Sequence, residues 1–495
     1  MTLSKFRHAV LPACTVVLAC ATMLSAHAAS TTFINPVGPS GVSSADPHVM
    51  RHTDGYYYYV HTIAGQNSLQ IAKSRTLSGI GAGARVTVMT PPSYCAGTDC
   101  YNKLVWAPEI YNFDGVWYLY FSASGNTNNK NHIWVITNTN ADPTVGAWSA
   151  PTKINDTYED WKIDQTVAKI DGQLYMAWSE TAGTSQQYLA IAKMSDPKTI
   201  VPGTRGAKIF LPDLAWETAG SPVNEGPQFI VHGNKVHLTF SASYCGTDEY
   251  KLGEWTAPLG SDLTVASNWK KNATPFLQKG TGAYGTGHHS FVKSPDGTED
   301  WVVYHANPAS GQGCGEQRTT RIQKVTWSGD TIVVGAPSVP GTSVVRPSGE
   351  GTDTILYRLR NQASGKVMSI NRYAAKANGA EIWSWTNFNN TDQLWSLDPA
   401  GTGAFQFTSN FNGNVADVYN FSTTAGALVK SYPAIGTTNQ QWKLIFTNSQ
   451  YFKVQGVGSG LMLDVNNGSS TDGALIQQWT NTEGTPQRWL FERVN

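Results

Sequence analysis

Asp46, Glu109, Asp164, Glu225 and His288 are separated by 63, 55, 61 and 63 residues, and each opens the same local pattern. The stretch SPVNEGPQFIVHGNKVHLTFSAS, from Ser221 to Ser243, shows it: a short apolar run carries Glu225, a turn follows at His232-Gly233-Asn234, and a second run alternates apolar residues. The other copies put Asp46 nine residues before Gly55, Glu109 six before Gly115, Asp164 eight before Gly172 and His288 nine before Gly297. Four carboxyls and an imidazole at one place in five repeats can do acid–base chemistry, one carboxyl kept protonated beside another kept ionised. Packing does not ask for them. Like charges brought together repel and lose hydration, so the set points to a site or to a bound cation.

Each hairpin is followed by a third strand-like run: LQIAKS from Leu69, IWVIT from Ile133, YLAIAK from Tyr188, YKLGEW from Tyr250 and RIQKV from Arg321. Looser fourth runs follow, such as ARVTVM from Ala84 and TIVV from Thr331. Five all-strand repeats of this length predict an all-β fold, a five-bladed β-propeller whose first strands line one axis and bring the five positions together. This region is expected to span residues 30–345.

The 495 residues carry 35 Lys+Arg against 35 Asp+Glu, so nothing favours nucleic acid or an anionic membrane as a partner. Charged residues are only 14%, with 47 Gly and 17 Trp, which suits aromatic rings stacked on neutral sugars as well as blade cores. Residues 1–29 read as a secretory signal: Lys5, Arg7 and His8, then an apolar run from Ala9 to Ser25, then Ala26-His27-Ala28 as the cleavage site. A lipid anchor on Cys20 is the weaker reading, since the residues after it stay apolar. The expected location is extracellular or periplasmic, and the expected state a monomer. Four cysteines then remain, and of their three pairings Cys95–Cys100 and Cys245–Cys314 are expected. Their spacing matches no zinc pattern.

The stretch 346–354 lies in a segment rich in Pro, Gly, Ser and Thr and reads as a flexible link between two domains. Beyond it, Gln393-Leu-Trp395, Gln440-Gln-Trp442 and Gln487-Arg-Trp489 are 47 residues apart, each with a Gly-Ala pair upstream (Gly379, Gly426, Gly473). Residues 355–495 are thus a threefold β unit. It resembles the ricin-type β-trefoil of carbohydrate-binding module family 13. The resemblance implies sugar sites at Asp464, Gln477, Trp479 and Gln487 in the third repeat, with Pro486 where Asn is usual. In the second it implies Asp417, Tyr432, Asn439 and Gln440, with Lys430 in place of Gln. The first repeat departs from the pattern, with Ser369 at the Asp position and Trp383 at the Gln position, so the resemblance carries no pocket onto it. The cysteines usual in that family are absent.

The N-terminal repeats resemble glycoside hydrolase family 43, through Asp46-Pro47, Trp106-Ala-Pro-Glu109, Ile163-Asp164, Glu225-Gly-Pro227 and Gly287-His288-His289-Ser290. The resemblance implies Asp46 as general base, Glu225 as general acid and Asp164 as the residue that orients the acid and raises its pKa. His288 would stand near a metal, usually calcium, on the axis. Substrate contacts are expected from Trp106, Trp161, Glu109, His289, Arg318 and Arg321. Core burial of the two Trp, a structural role for Glu109 and ion pairs for the two Arg are the competing readings. A short Asp base facing a longer Glu acid leaves room for water and favours inversion at the sugar. The expected function is release of α-L-arabinofuranosyl residues from arabinan or arabinoxylan of plant cell walls. β-Xylosidase, endo-arabinanase and β-galactan hydrolase activities stand as alternatives, as does a non-catalytic, two-domain carbohydrate-binding protein.

Overall fold

In the computed structural model the hairpin turns set the register of everything near the axis. Asp114-Gly115 and Asp171-Gly172 both have positive φ at both residues (52° and 84°; 48° and 80°), the two-residue turn whose twist matches the flanking strands. They fix Phe113 opposite Val116 and Ile170 opposite Gln173. The structure describes residues 31–494 apart from 66, 98, 128–129, 158–159, 207–209, 352, 375–377 and 402. The leader expected at 1–29, Cys20 included, lies outside the described residues.

Five four-stranded antiparallel sheets follow one another. Their first strands are Ala45–Arg51, Lys103–Phe113, Lys162–Ile170, Asn224–His232 and Tyr284–Lys293. Each touches the first strands on either side, which closes a ring of five blades. Second strands (Tyr57–Thr62, Val116–Ser124, Gln173–Glu180, Lys235–Ala242 and Asp300–Asn307) lead out to third and fourth strands. In blades two, three and four the fourth strand is only two residues long, too short for a sequence pattern. The N-terminal segment closes the ring on blade five: the Asn35 side chain bonds both the carbonyl (3.0 Å) and the N–H (3.1 Å) of Ile322. Ser44 and Thr320 add two bonds of 2.8 Å each.

The C-terminal strands form one closed, twelve-stranded threefold unit, in which Tyr357–Asn361 pairs with the last strand, Arg488–Arg493. Trp395, Trp442 and Trp489 are fully buried at its centre. Each indole N–H donates to an equivalent carbonyl, of Met368 (3.0 Å), Ala416 (3.1 Å) and Leu463 (3.1 Å).

The link departs from the flexible tether expected of its composition. Glu350 accepts from Ser78 N–H at 2.8 Å and from Arg346 Nε at 3.1 Å, and Arg493 donates to Ser78 Oγ at 2.9 Å. Phe33, Ile34, Leu77 and Ile80 of the propeller share one apolar core with Tyr357 and Phe491 of the trefoil. Pro and Gly here shape a docked turn because apolar surface on both sides is buried by it.

Candidate active site

Every first strand bulges at the same place. The pairing slips between Ala45 and His48, Trp106 and Glu109, Ile163 and Thr166, Glu225 and Gln228, and around His288. In each bulge one residue is left-handed: Asp46 (φ 51°), Ala107 (46°), Asp164 (56°), Gly226 (55°) and His288 (39°). A left-handed residue with a side chain costs about 1–2 kcal/mol, and four of the five bear one. Proline follows at 47, 108 and 227, where the bulge leaves no ladder partner for an N–H. The bulge turns Asp46, Asp164 and His288 toward one another: His288 Nδ1 lies 3.5 Å from Asp46 Oδ1 and 3.7 Å from Asp164 Oδ2.

The bulge also sorts the expected set into levels. Glu225 sits one residue above it, level by register with Trp106, which is 36% exposed. Glu109 sits two residues below it, with His48, Thr166, Gln228 and Ser290. There it is buried and bonded by Tyr111 O–H and Gln228 Nε2, so it belongs beneath the site rather than against a substrate. Burial pushes its carboxyl well above the usual range.

Arg318 Nη1 donates to Asp46 Oδ1 at 3.1 Å, and the Asp46 N–H donates to His305 Nδ1 at 3.0 Å. Burial alone would raise the Asp46 carboxyl, yet His288, Arg318 and His305 outweigh it and hold it well below the usual carboxylate range. Burial lowers both imidazoles, His305 to about 4. Glu225 accepts from Tyr250 O–H at 2.9 Å and from Gln187 Nε2 at 2.7 Å. Burial, then the charge of Asp46, raises its pKa in spite of these donors. Asp164 accepts from the N–H of Gly226, next to Glu225, at 3.1 Å. Burial, then Glu225 and Asp46, pushes Asp164 well above its ordinary value. A carboxyl whose pKa is lowered therefore faces a buried pair whose pKa values are raised.

Other expected contacts are placed elsewhere. His289 is fully buried, with Nε2 2.6 Å from Thr239 Oγ1. Arg321 is fully buried opposite Tyr304 on blade five, its Nε 3.4 Å from Thr319 Oγ1. Neither forms a substrate wall, because strand alternation turns both between blades. Trp161 is half-buried just ahead of the strand that bears Asp164. Gln187, Tyr250 and His305 were not legible as site residues; each lies on or beside a second or third strand and reaches the axis only through blade packing. The donor set around His288 does not fit a calcium ion, which takes six to eight oxygens, and no three-residue metal-holding group occurs among the described residues. No catalytic step is assigned to a metal.

Both expected disulfides are formed: Cys95–Cys100, and Cys245–Cys314 joining the loops after the second strands of blades four and five.

In the trefoil, Asp417 Oδ2 accepts from Asn439 (2.9 Å) and Gln440 (2.8 Å), while Gln477 donates to Asp464 Oδ1 at 2.9 Å. Trp479, two residues beyond the Gln477 that pairs with Asp464, is 39% exposed, and Tyr432, two beyond the Lys430 that pairs with Asp417, is half-buried. Gln440 and Gln487, expected to meet sugar, are buried instead. Each spans its own loop, Gln440 between the N–H of Ile435 and the carbonyl of Pro433, Gln487 between Thr482 and Thr480. Gln393 does the same in the first repeat.

Comparison with known proteins agrees with this geometry. Residues 33–333 match the model of the glycosyl hydrolases of family 43, and residues 344–432 and 438–495 that of the ricin-type β-trefoil lectin domain. An extracellular exo-α-(1→5)-L-arabinofuranosidase of Streptomyces avermitilis is 38% identical over 64% of this chain and 66% of that protein. An enzyme of the same description from Streptomyces chartreusis is 33% identical over 53% of this chain and 79% of the relative. The crystal structure of an α-L-arabinofuranosidase from Lactobacillus brevis superposes with a TM-score of 0.57 and 30% identity, covering 62% of this chain and 98% of that one. A carboxyl of lowered pKa set against a pair of raised pKa in a five-bladed ring suits such a hydrolase, and the chain belongs to glycoside hydrolase family 43, with a ricin-type β-trefoil lectin domain behind it.

Proposed function

We propose that this enzyme is an exo-acting, inverting α-L-arabinofuranosidase, working on the side chains or ends of arabinan or arabinoxylan and held to them by its trefoil. The observation that carries the mechanism is the opposite shift of its carboxyls, set by where they sit: His288, Arg318 and His305 around Asp46 hold it well below the usual carboxylate range, while burial raises Glu225 and Asp164. Asp46 takes a proton from water as its oxygen attacks the anomeric carbon. Glu225 gives a proton to the departing glycosidic oxygen, so the bond breaks without a free alkoxide. Asp164 steers Glu225 through the N–H of Gly226 and shares its proton. Trp106 and Trp161 flank the entrance. The Streptomyces relatives support arabinose as the sugar and an extracellular setting, as does the leader; no described helix is long and apolar enough to cross a membrane. Asp417 and Asp464, with Tyr432 and Trp479, supply the anchoring sugar sites.

Products from arabinan, arabinoxylan, xylan and galactan, followed by proton NMR from the first turnovers, test this reading. Arabinose alone, appearing first as the inverted anomer, is expected; xylose, galactose, oligosaccharides or a retained anomer would each refute part of it. Glu225→Ala should lose roughly 10²–10⁴-fold on polysaccharide and much less on an aryl glycoside whose phenol leaves unaided. Asp46→Ala should be nearly inactive on both. The reverse pattern would mean the roles are exchanged.

A further inference from the structure

The turn of one trefoil hairpin reaches the propeller beside the catalytic base. In the first repeat Pro399 pairs with Phe405, and in the second Phe446 pairs with Phe452, so Gly403 and Gln450, 47 residues apart, hold the same place in their two turns. Both are left-handed, with φ of 68° and 66°. Glycine adopts that conformation freely, whereas glutamine does so at a cost. Gly403 is exposed, but Gln450 is only 8% exposed, its turn docked on blade five. Gln450 Nε2 donates to the carbonyl of Glu316 at 3.5 Å, and Gln312 Nε2 to the carbonyl of Asn448 at 2.7 Å. Ser449 and Gln450 form one side of a cavity of about 330 Å³, whose other sides include Ser43, Ile63, Glu316 and Gln317. Glu316 and Gln317 directly precede Arg318, which donates to Asp46. Ser43 stands three residues before Asp46, the N–H of Ser44 donates to Arg318 O at 2.9 Å, and Thr62, just before Ile63, pairs with Ala45.

We propose that this cavity is a substrate subsite built jointly by the two domains, and that it holds an uncleaved, neutral glycosyl unit of the polysaccharide main chain. Small-ligand pockets run about 300–1,000 Å³ and favour domain interfaces. The side chains of Glu316 and Gln317 make no hydrogen bond or ion pair among the described residues, and the Ser43 hydroxyl is buried without a partner. Open donors and acceptors at one cavity match the hydroxyls of a sugar ring, with the carboxylate as the stronger acceptor. That same carboxylate disfavours an acidic sugar. Glu225, on blade four, faces the departing glycosidic oxygen. The cavity lies instead at the junction of blades one and five, beside Asp46, so it takes a unit other than the two that share the cut bond. The trefoil then does more than hold the enzyme on its polymer: Ser449 and Gln450 help to choose which chain is cut, and this accounts for a strained glutamine where the first repeat keeps glycine.

The inference rests on the arabinofuranosidase reading, and the test separates the two. In the full chain, kcat and KM are measured for arabinose release from short, soluble arabino- and arabinoxylo-oligosaccharides and from an aryl α-L-arabinofuranoside, which has no main chain. Gln450→Gly puts the first repeat's residue at the left-handed position, and Ser449→Trp fills the cavity. Each should raise KM about tenfold on the oligosaccharides and leave it unchanged on the aryl glycoside, with kcat unchanged on both. Thermal unfolding checks that each variant is folded. If Ser449→Trp is not, Gln317→Ala removes a sugar contact from the propeller side and should raise KM in the same selective way. A turn that merely props the Arg318 loop would slow both kinds of substrate together. Equal changes on both, or no change on either in folded variants, overturns the subsite. A wild-type enzyme that releases arabinose from neither kind of substrate overturns the arabinofuranosidase reading itself, and this inference with it.

Discussion

Arg318 is the residue on which the low-pH behaviour of the site turns. It donates to Asp46 at 3.1 Å, whereas burial lowers the pKa of both His288 and His305. Asp46 has to be ionised, so activity should rise as pH passes upward through its lowered pKa. Arg318→Ala removes the cation, raises that pKa and should move the acid limb of kcat/KM up by about one unit; Arg318→Lys should move it less. Asp164 governs the other limb. Glu225 must hold a proton, and the raised pKa of the pair places its loss on the alkaline side. Asp164→Asn removes the partner that shares the proton with Glu225, so the alkaline limb should move down by about one unit, with kcat falling more than KM changes. A pH profile unchanged in either variant would refute the assignment.

The bulged strand end and the loops above it are the elements that hold these groups. Arg318 is carried on the loop before the third strand of blade five, four residues after Cys314, and its Nε donates to Gly315 O at 3.2 Å. The Cys245–Cys314 bridge closes 69 residues, for which chain entropy suggests about 4 kcal/mol, against about 2 kcal/mol for the five-residue Cys95–Cys100 loop. Cys245→Ser/Cys314→Ser should therefore melt well below Cys95→Ser/Cys100→Ser. It should also raise KM, because the loop that carries Arg318 loses its tie to blade four. Calorimetry and kinetics on the two double variants check both statements.

At the scale of the whole molecule the trefoil is part of the catalytic domain's support. Its loop reaches the Arg318 loop through Gln312 Nε2 to Asn448 O at 2.7 Å and Gln450 Nε2 to Glu316 O at 3.5 Å. The shared core of Phe33, Ile34, Leu77 and Ile80 with Tyr357 and Phe491 means that a chain ended at Val345 leaves these side chains in water. Such a truncation should be poorly soluble, or melt lower, by much more than loss of sugar binding alone would cause. The full chain should unfold in one calorimetric transition; two separate transitions, with an undisturbed propeller after truncation, would contradict the docked interface.

How many blades and repeats there are was written in the chain itself, while the four cysteines left three pairings open, of which the expected one is formed. Alternation with period two marks strands, Asp-Gly turns fix hairpins, and the 47-residue Gln-x-Trp spacing counts the trefoil repeats. Asp46, Asp164 and Glu225 were legible because each stands beside its bulge in a repeat of nearly constant length. Glu109 and His289 were misplaced for the same reason: one bulge residue reverses the face of all that follows, and a bulge is set by pairing across strands. Gln187, Tyr250 and His305 reach the carboxyls from neighbouring strands, so no local pattern betrays them. The Ser369–Asp392 bond of the first trefoil repeat was hidden likewise, since the two residues lie 23 apart and become one pair only in the fold. Local periodicity determines elements and their number; level, facing and partnership are properties of non-local packing, and the tertiary structure alone decided them.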